Sequence, residues 1–145
     1  MQSAAAWPQA PASAPDPSTV PAASKLYVLN CQGCHGARGE VANDDIRPLG
    51  FAFGQFTRTA RGRAYLMRIP GVAAAPIGDD ALTQLLNYMA DLWRPIGAAR
   101  GSGARFSVAQ VHVLRRQPLI DVSAERAAVI RDLGVARLLS ARPDP

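Results

Sequence analysis

The residues best suited to chemistry are gathered in Cys31-Gln32-Gly33-Cys34-His35, which holds both cysteines and one of the two histidines of the chain. C-x-x-C-H is the spacing of a c-type haem attachment site. Thiols at this separation reach the two vinyl groups of one haem and form thioethers. The adjacent imidazole of His35 then lies under the iron as proximal ligand. Gly33 has no side chain and lets the backbone lie close to the porphyrin. Competing chemistries fit less well. A structural zinc site takes four ligands, and beyond the motif the chain offers only the distant His112, with no second cysteine pair. A thioredoxin-type motif belongs beside a βαβ pattern, and no strand-like run flanks these residues. A Cys31–Cys34 disulfide is geometrically open to the pair but leaves the histidine unexplained. The reading is one covalent haem c, bonded to Cys31 and Cys34 and ligated by His35.

The elements that must position this motif are helical. Ser24 is placed to cap a first helix running through Leu26, Tyr27, Val28 and Leu29 into the motif. Tyr27 precedes Cys31 by one helical turn. A glycine-rich loop, Gly36 to Glu40, follows His35. The stretch from Val41 to Phe56 shows neither helical nor strand period and is expected to wrap the haem, with Phe51, Phe53 and Phe56 as candidates for the pocket wall. Within it, Pro48 carries a carbonyl with no competing N–H. It is the candidate acceptor for the second ring nitrogen of His35, which a haem-ligating histidine needs to fix its tautomer and orientation.

Arg58 to Ile69 reads as a helix stopped by Pro70-Gly71, with Tyr65, Leu66 and Ile69 on its apolar side. Residues 72–78 read as a loop of small side chains. Asp79 or Asp80 opens the strongest helix, in which Leu82, Leu85, Leu86, Met89, Leu92 and Trp93 form one wide apolar stripe. After a glycine-rich hinge, a short helix near Phe106–Leu114 and a last one over Val122–Leu133 complete the chain. The expected division is therefore an Ala/Pro-rich linker over 1–23, a haem domain over 24–97 and a helical extension over 98–145 that packs on it.

Composition sets the remaining bounds. The 145 residues suit one domain with a modest core. Formal charge is +5, and every basic residue except Lys25 is arginine. Such a balance suits an acidic docking partner. The absence of a Lys/Arg run with interleaved aromatics argues against nucleic acid. Residues 1–23 carry prolines at 8, 11, 15, 17 and 21 and cannot bury enough apolar surface to order themselves. No charged n-region and apolar h-region precede them, and no run of about 18 apolar residues is long enough for a membrane span.

The pattern over residues 24–94 resembles a class I cytochrome c. An aromatic one turn before the first cysteine, C-x-x-C-H, the Pro48-Leu49 pair after a loop, and a final helix carrying Tyr88 and Trp93 carry the resemblance. The texture from Ile69 through that helix is also similar to small periplasmic cytochromes that accompany dehydrogenases. The resemblance implies an all-α cytochrome c-like fold around one covalent haem, here with an added helical extension. It implies that the first and last helices of the haem domain cross, with Tyr27 meeting Tyr88. It also implies haem attachment outside the bacterial cytoplasm, hence a periplasmic protein whose export segment has been removed ahead of Met1, with a membrane tether through the linker as a variant.

One departure concerns the sixth iron ligand. The family usually places a methionine just before the last helix, where this chain reads Ala74-Ala75-Pro76-Ile77. Met67 is the candidate distal ligand, and His112 the other donor if the tail folds over the distal side. A filled sixth position makes an electron carrier between a periplasmic dehydrogenase and a downstream, oxidase-side acceptor. An open one makes a module that binds or senses a diatomic gas. A third reading is a cytochrome subunit docked through its extension in a larger dehydrogenase. Enzyme activity is not expected, since a peroxidase wants a distal acid–base group and charge stabiliser. No distal His–Arg motif is recognisable. Arg58, Arg61, Arg63 and Arg68, expected to cluster on one helix, are candidates to steer an acidic partner.

Overall fold

The computed structural model describes residues 22–41, 48–95, 98–99 and 104–134, apart from the side chain of Phe51. Among them there are eight helices and no strand. The fold is all-α. The helices are α1 (Ala22–Asn30), α2 (Gln32–His35), α3 (Gly50–Phe56), α4 (Ala60–Arg68), α5 (Pro70–Ala73), α6 (Asp79–Leu92), α7 (Val108–Leu114) and α8 (Val122–Leu133).

Local chemistry accounts for most of these limits. The Thr59 hydroxyl accepts the Gly62 N–H at 3.0 Å and starts α4. Ser107 and Gln110 form a reciprocal capping box at the start of α7. The Asp121 carboxylate accepts the Ala124 N–H at 2.8 Å, and α8 ends on left-handed Gly134. Asp79 and Asp80 place negative charge in the first turn of α6, where the helix dipole favours it.

Three expectations are corrected. α1 begins at Ala22, so Ser24 lies inside it rather than at its cap, and the helix reaches two residues into the segment read as linker. Alanine is the best helix former, and Ala22 and Ala23 extend the helix at little cost. The rest of the linker lies outside the described residues. The stretch read as aperiodic contains α3, whose seven residues include two glycines. Burial of Phe53 and Phe56 one turn apart overrides that poor propensity. Finally, Pro70 does not simply stop α4. It occupies the first turn of α5, where its missing N–H is not needed.

α6 organises the interior. Leu82, Leu85, Leu86 and Met89 are each 4% exposed or less, and full burial of such side chains stabilises by about 1.5–3 kcal/mol each. The stripe ends sooner than its period implies, because Leu92 is 45% exposed. α1 crosses α6 on one flank, while α3 and α7 also pack against it. α4 packs with α3, α5, α7 and α8. No helix among the described residues is long and apolar enough to cross a membrane.

The C-terminal elements have no core of their own. Phe106, Val111, Leu119 and Val129 belong to the same buried cluster as Tyr27, Leu66 and Leu85. Polar contacts fix the seat. Asn87 donates to the Phe106 carbonyl at 3.0 Å and accepts its N–H at 2.9 Å. The Leu119 N–H donates to the Arg68 carbonyl at 2.9 Å, and Arg68 Nε donates to the Gln117 carbonyl at 2.7 Å. Arg61 holds Glu125 of α8 through two bonds, at 2.8 and 3.1 Å.

Candidate haem-attachment site

The motif forms where α1 turns into α2. The Cys31 N–H closes α1 on the Tyr27 carbonyl at 2.9 Å, and the N–H groups of Cys34 and His35 both donate to the Cys31 carbonyl. This single turn of backbone carries two thiols and an imidazole. The cysteines are not bonded to each other; Cys31 is half-buried and Cys34 exposed. Burial, then the neighbouring Cys34, pushes the Cys31 thiol above its ordinary pKa and keeps it protonated. A Cβ added to Gly33 would meet nothing within 4 Å, so the turn presents open space there. His35 is half-buried with Nδ1 shut off from solvent.

The loop after His35 is held at several described positions. The Tyr27 hydroxyl donates to the Gly36 carbonyl at 2.7 Å. The Val41 N–H returns to the His35 carbonyl at 3.1 Å, and the Leu49 N–H donates to the Gly39 carbonyl at 2.9 Å. Gly36 and Gly39 take the left-handed backbone, with φ of 79° and 70°, a conformation costly to other residues. Gly39 is further confined. A Cβ there would lie 2.8 Å from the Trp93 ring and 2.9 Å from Leu49. Burial, then the negative charge that Cys31 and Glu40 would carry, raises the Tyr27 pKa and keeps its hydroxyl a donor.

The predicted site residues separate into two groups. Cys31, Cys34 and His35 share the turn, and Pro48 stands beside the loop that follows it, because its neighbour Leu49 is bonded to Gly39. Met67, from α4, is 2% exposed in the core cluster against which Cys31 also packs. His112 is committed elsewhere: its Nδ1 lies 2.8 Å from the Asp79 carboxylate on the surface.

The aromatic surroundings differ from expectation in two respects. Tyr27 meets Trp93, not Tyr88, in edge contact, with ring centroids at 5.7 Å. Trp93 caps α6, its N–H still bonded to the Met89 carbonyl at 3.0 Å. Phe53 also touches Trp93, at 5.8 Å, and so borders the motif's side of the fold. Phe56 instead packs on Tyr65 at 5.3 Å, beneath the guanidinium of Arg126. The side chain of Phe51 lies outside the described residues.

Sequence reasoning missed Arg115. From the end of α7 its guanidinium enters the loop between α5 and α6. It donates to the carbonyls of Ala73 at 3.1 Å, Ala75 at 2.6 Å and Ile77 at 2.8 Å, and to Asp79 at 3.1 Å. The loop where the resemblance expects a methionine is therefore tied to the C-terminal extension. Nothing in the sequence marks this contact, because main-chain acceptors have no residue signature.

The residues present fit a covalent haem in kind. Two unbonded thiols flank a glycine that faces open space, and the histidine follows the second thiol on the same turn. Among the described residues, no three His, Cys, Asp or Glu side chains form a group able to chelate a metal. The chain matches no family model, no curated protein and no solved structure.

Proposed function

We propose that this protein is a monohaem c-type cytochrome that passes single electrons between a periplasmic dehydrogenase and a downstream acceptor. The observation that carries the reading is the turn from Cys31 to His35, which gathers every cysteine of the chain beside one imidazole and open space at Gly33. A haem bound there supplies reversible one-electron oxidation and reduction. Cys31 and Cys34 hold it through thioethers, and His35 provides the proximal nitrogen. Pro48 would supply the carbonyl that orients the ring. The bonds from Tyr27, Val41 and Leu49 fix the backbone on which His35 stands. A ligand whose backbone is fixed moves little between oxidation states, which suits electron transfer.

Met67 is the proposed distal ligand, its thioether already removed from water. A second reading is favoured by the loop before α6, which holds no methionine and is pinned by Arg115. An open or labile sixth position would then bind a diatomic gas.

One measurement separates these readings: the visible spectrum of the purified protein, oxidised and reduced, with and without CO. The carrier reading expects a low-spin spectrum that CO leaves unchanged and that Met67→Ala converts to high spin. A high-spin ferrous spectrum that shifts promptly with CO overturns Met67 as ligand and puts gas binding first. Protein matured with haem available that carries none bound covalently overturns both.

A further inference from the structure

A second site lies apart from the motif. A cleft of about 420 Å³ opens between the turn before α4, the end of α6 and the start of the C-terminal extension, lined among others by Thr57, Arg58, Arg63, Asp91, Arg94 and Arg105. Four arginines and one carboxylate leave three positive charges around one hollow. Like charges placed together repel unless a counter-charge joins them. Asp91 supplies part of it, bonded to Arg105 at 2.9 Å.

Each guanidinium is aimed by one or two bonds and keeps further N–H groups. Arg58 is held by Gln55 Oε1 at 2.8 Å, and Arg63 by the Thr57 carbonyl at 2.9 Å. Arg94 donates to the carbonyls of Ala98 and Asp91, both at 3.0 Å. An arginine has five N–H donors in a planar fork, a match for phosphate or carboxylate oxygens. The volume lies in the range of small-ligand sites.

We propose that this cleft binds a small multivalent anion of the oligophosphate or polycarboxylate class, bridging α4, α6 and the extension. The cleft also re-sorts the four arginines read as one steering group. Arg61 is occupied by Glu125 and Asp132 and Arg68 by the Gln117 carbonyl, whereas Arg58 and Arg63 face the hollow. The assignment is independent of the haem reading.

The test is calorimetric titration of the full-length protein with inorganic pyrophosphate at low ionic strength. Saturable binding at one site is expected, weakened about tenfold for each cleft arginine replaced in Arg58→Gln and Arg105→Gln. Arg131→Gln, an exposed arginine of α8 outside the cleft, is expected to bind as the parent does. Circular dichroism checks that the variants fold. Equal weakening in Arg131→Gln would mean diffuse charge only and would overturn the site. So would absence of saturable binding.

Discussion

Arg115 holds Ala75 from inside a loop: its Nη2 donates to the Ala75 carbonyl at 2.6 Å, while Nε and Nη1 reach Ala73 and Ile77 on either side. One side chain of the extension thus sets the path of the segment leading into α6. With 11% of its side chain exposed, the guanidinium is largely withdrawn from water, so these bonds are worth more than surface contacts. Arg115→Met keeps the apolar stem and removes the donors. It is expected to lower unfolding stability by about 2–3 kcal/mol, read by urea denaturation, with one cooperative transition retained.

Asp79 faces two guanidinium groups, Arg115 and Arg116, and the imidazole of His112. The hydrogen bond from His112, followed by those from Arg115 and Arg116, holds its carboxyl below the ordinary 3.8. A pKa depressed by folding gives stability that is present above the unfolded value and lost as pH falls through the folded one. Stability is therefore expected to decline on acidification below about pH 5. Asp79→Asn is expected to be less stable at neutral pH and to show a flatter acid limb. Urea titrations across that range check both slopes.

Much of the framework was legible in the sequence, for identifiable reasons. α6 and α8 show apolar side chains at helical spacing, whereas the caps Thr59, Ser107 and Asp121 were not read and the one expected, Ser24, lies inside α1. α3 was not legible: a short helix with two glycines is set by what Phe53 and Phe56 pack against. Tyr27 was expected to meet Tyr88, whereas its ring contact is with Trp93, the residue that caps α6. Of the candidate site, the contiguous residues Cys31, Cys34 and His35 needed no tertiary knowledge. Met67, Pro48 and the arginine cleft depend on elements distant in sequence.

Two glycines near the motif should respond oppositely to alanine. Gly39→Ala places a Cβ against Trp93 and Leu49 on a left-handed backbone. A loss of about 2 kcal/mol or more is expected. Gly33→Ala meets open space within a helical turn. In the protein before haem attachment it should fall within about 1 kcal/mol of the parent, on the stabilising side. Thermal unfolding of the two variants side by side provides the comparison.

If the motif carries haem, each thiol should contribute separately. Cys31→Ser and Cys34→Ser are each expected to retain haem through one thioether, and the double variant to release it under denaturing conditions. His35→Ala should keep the covalent bonds while altering the absorption spectrum. Haem-stained denaturing gels and mass spectrometry give the readout. Full retention in the double variant would remove the cysteines from the assignment.

Several of the bonds that seat the C-terminal extension share a bias. Asn87, Arg68 and Arg115 all grip main-chain carbonyls, those of Phe106, Gln117, Ala73, Ala75 and Ile77. A main-chain acceptor survives any substitution at its own position that preserves the local backbone. The two sides of this seam therefore have unequal freedom to drift: Ala73, Ala75 and Ile77 can exchange identity and still be held, while the donor at 115 cannot. An engineer seeking to reshape the loop ahead of α6, even to install a methionine there, can vary the gripped residues one by one without undoing the grip.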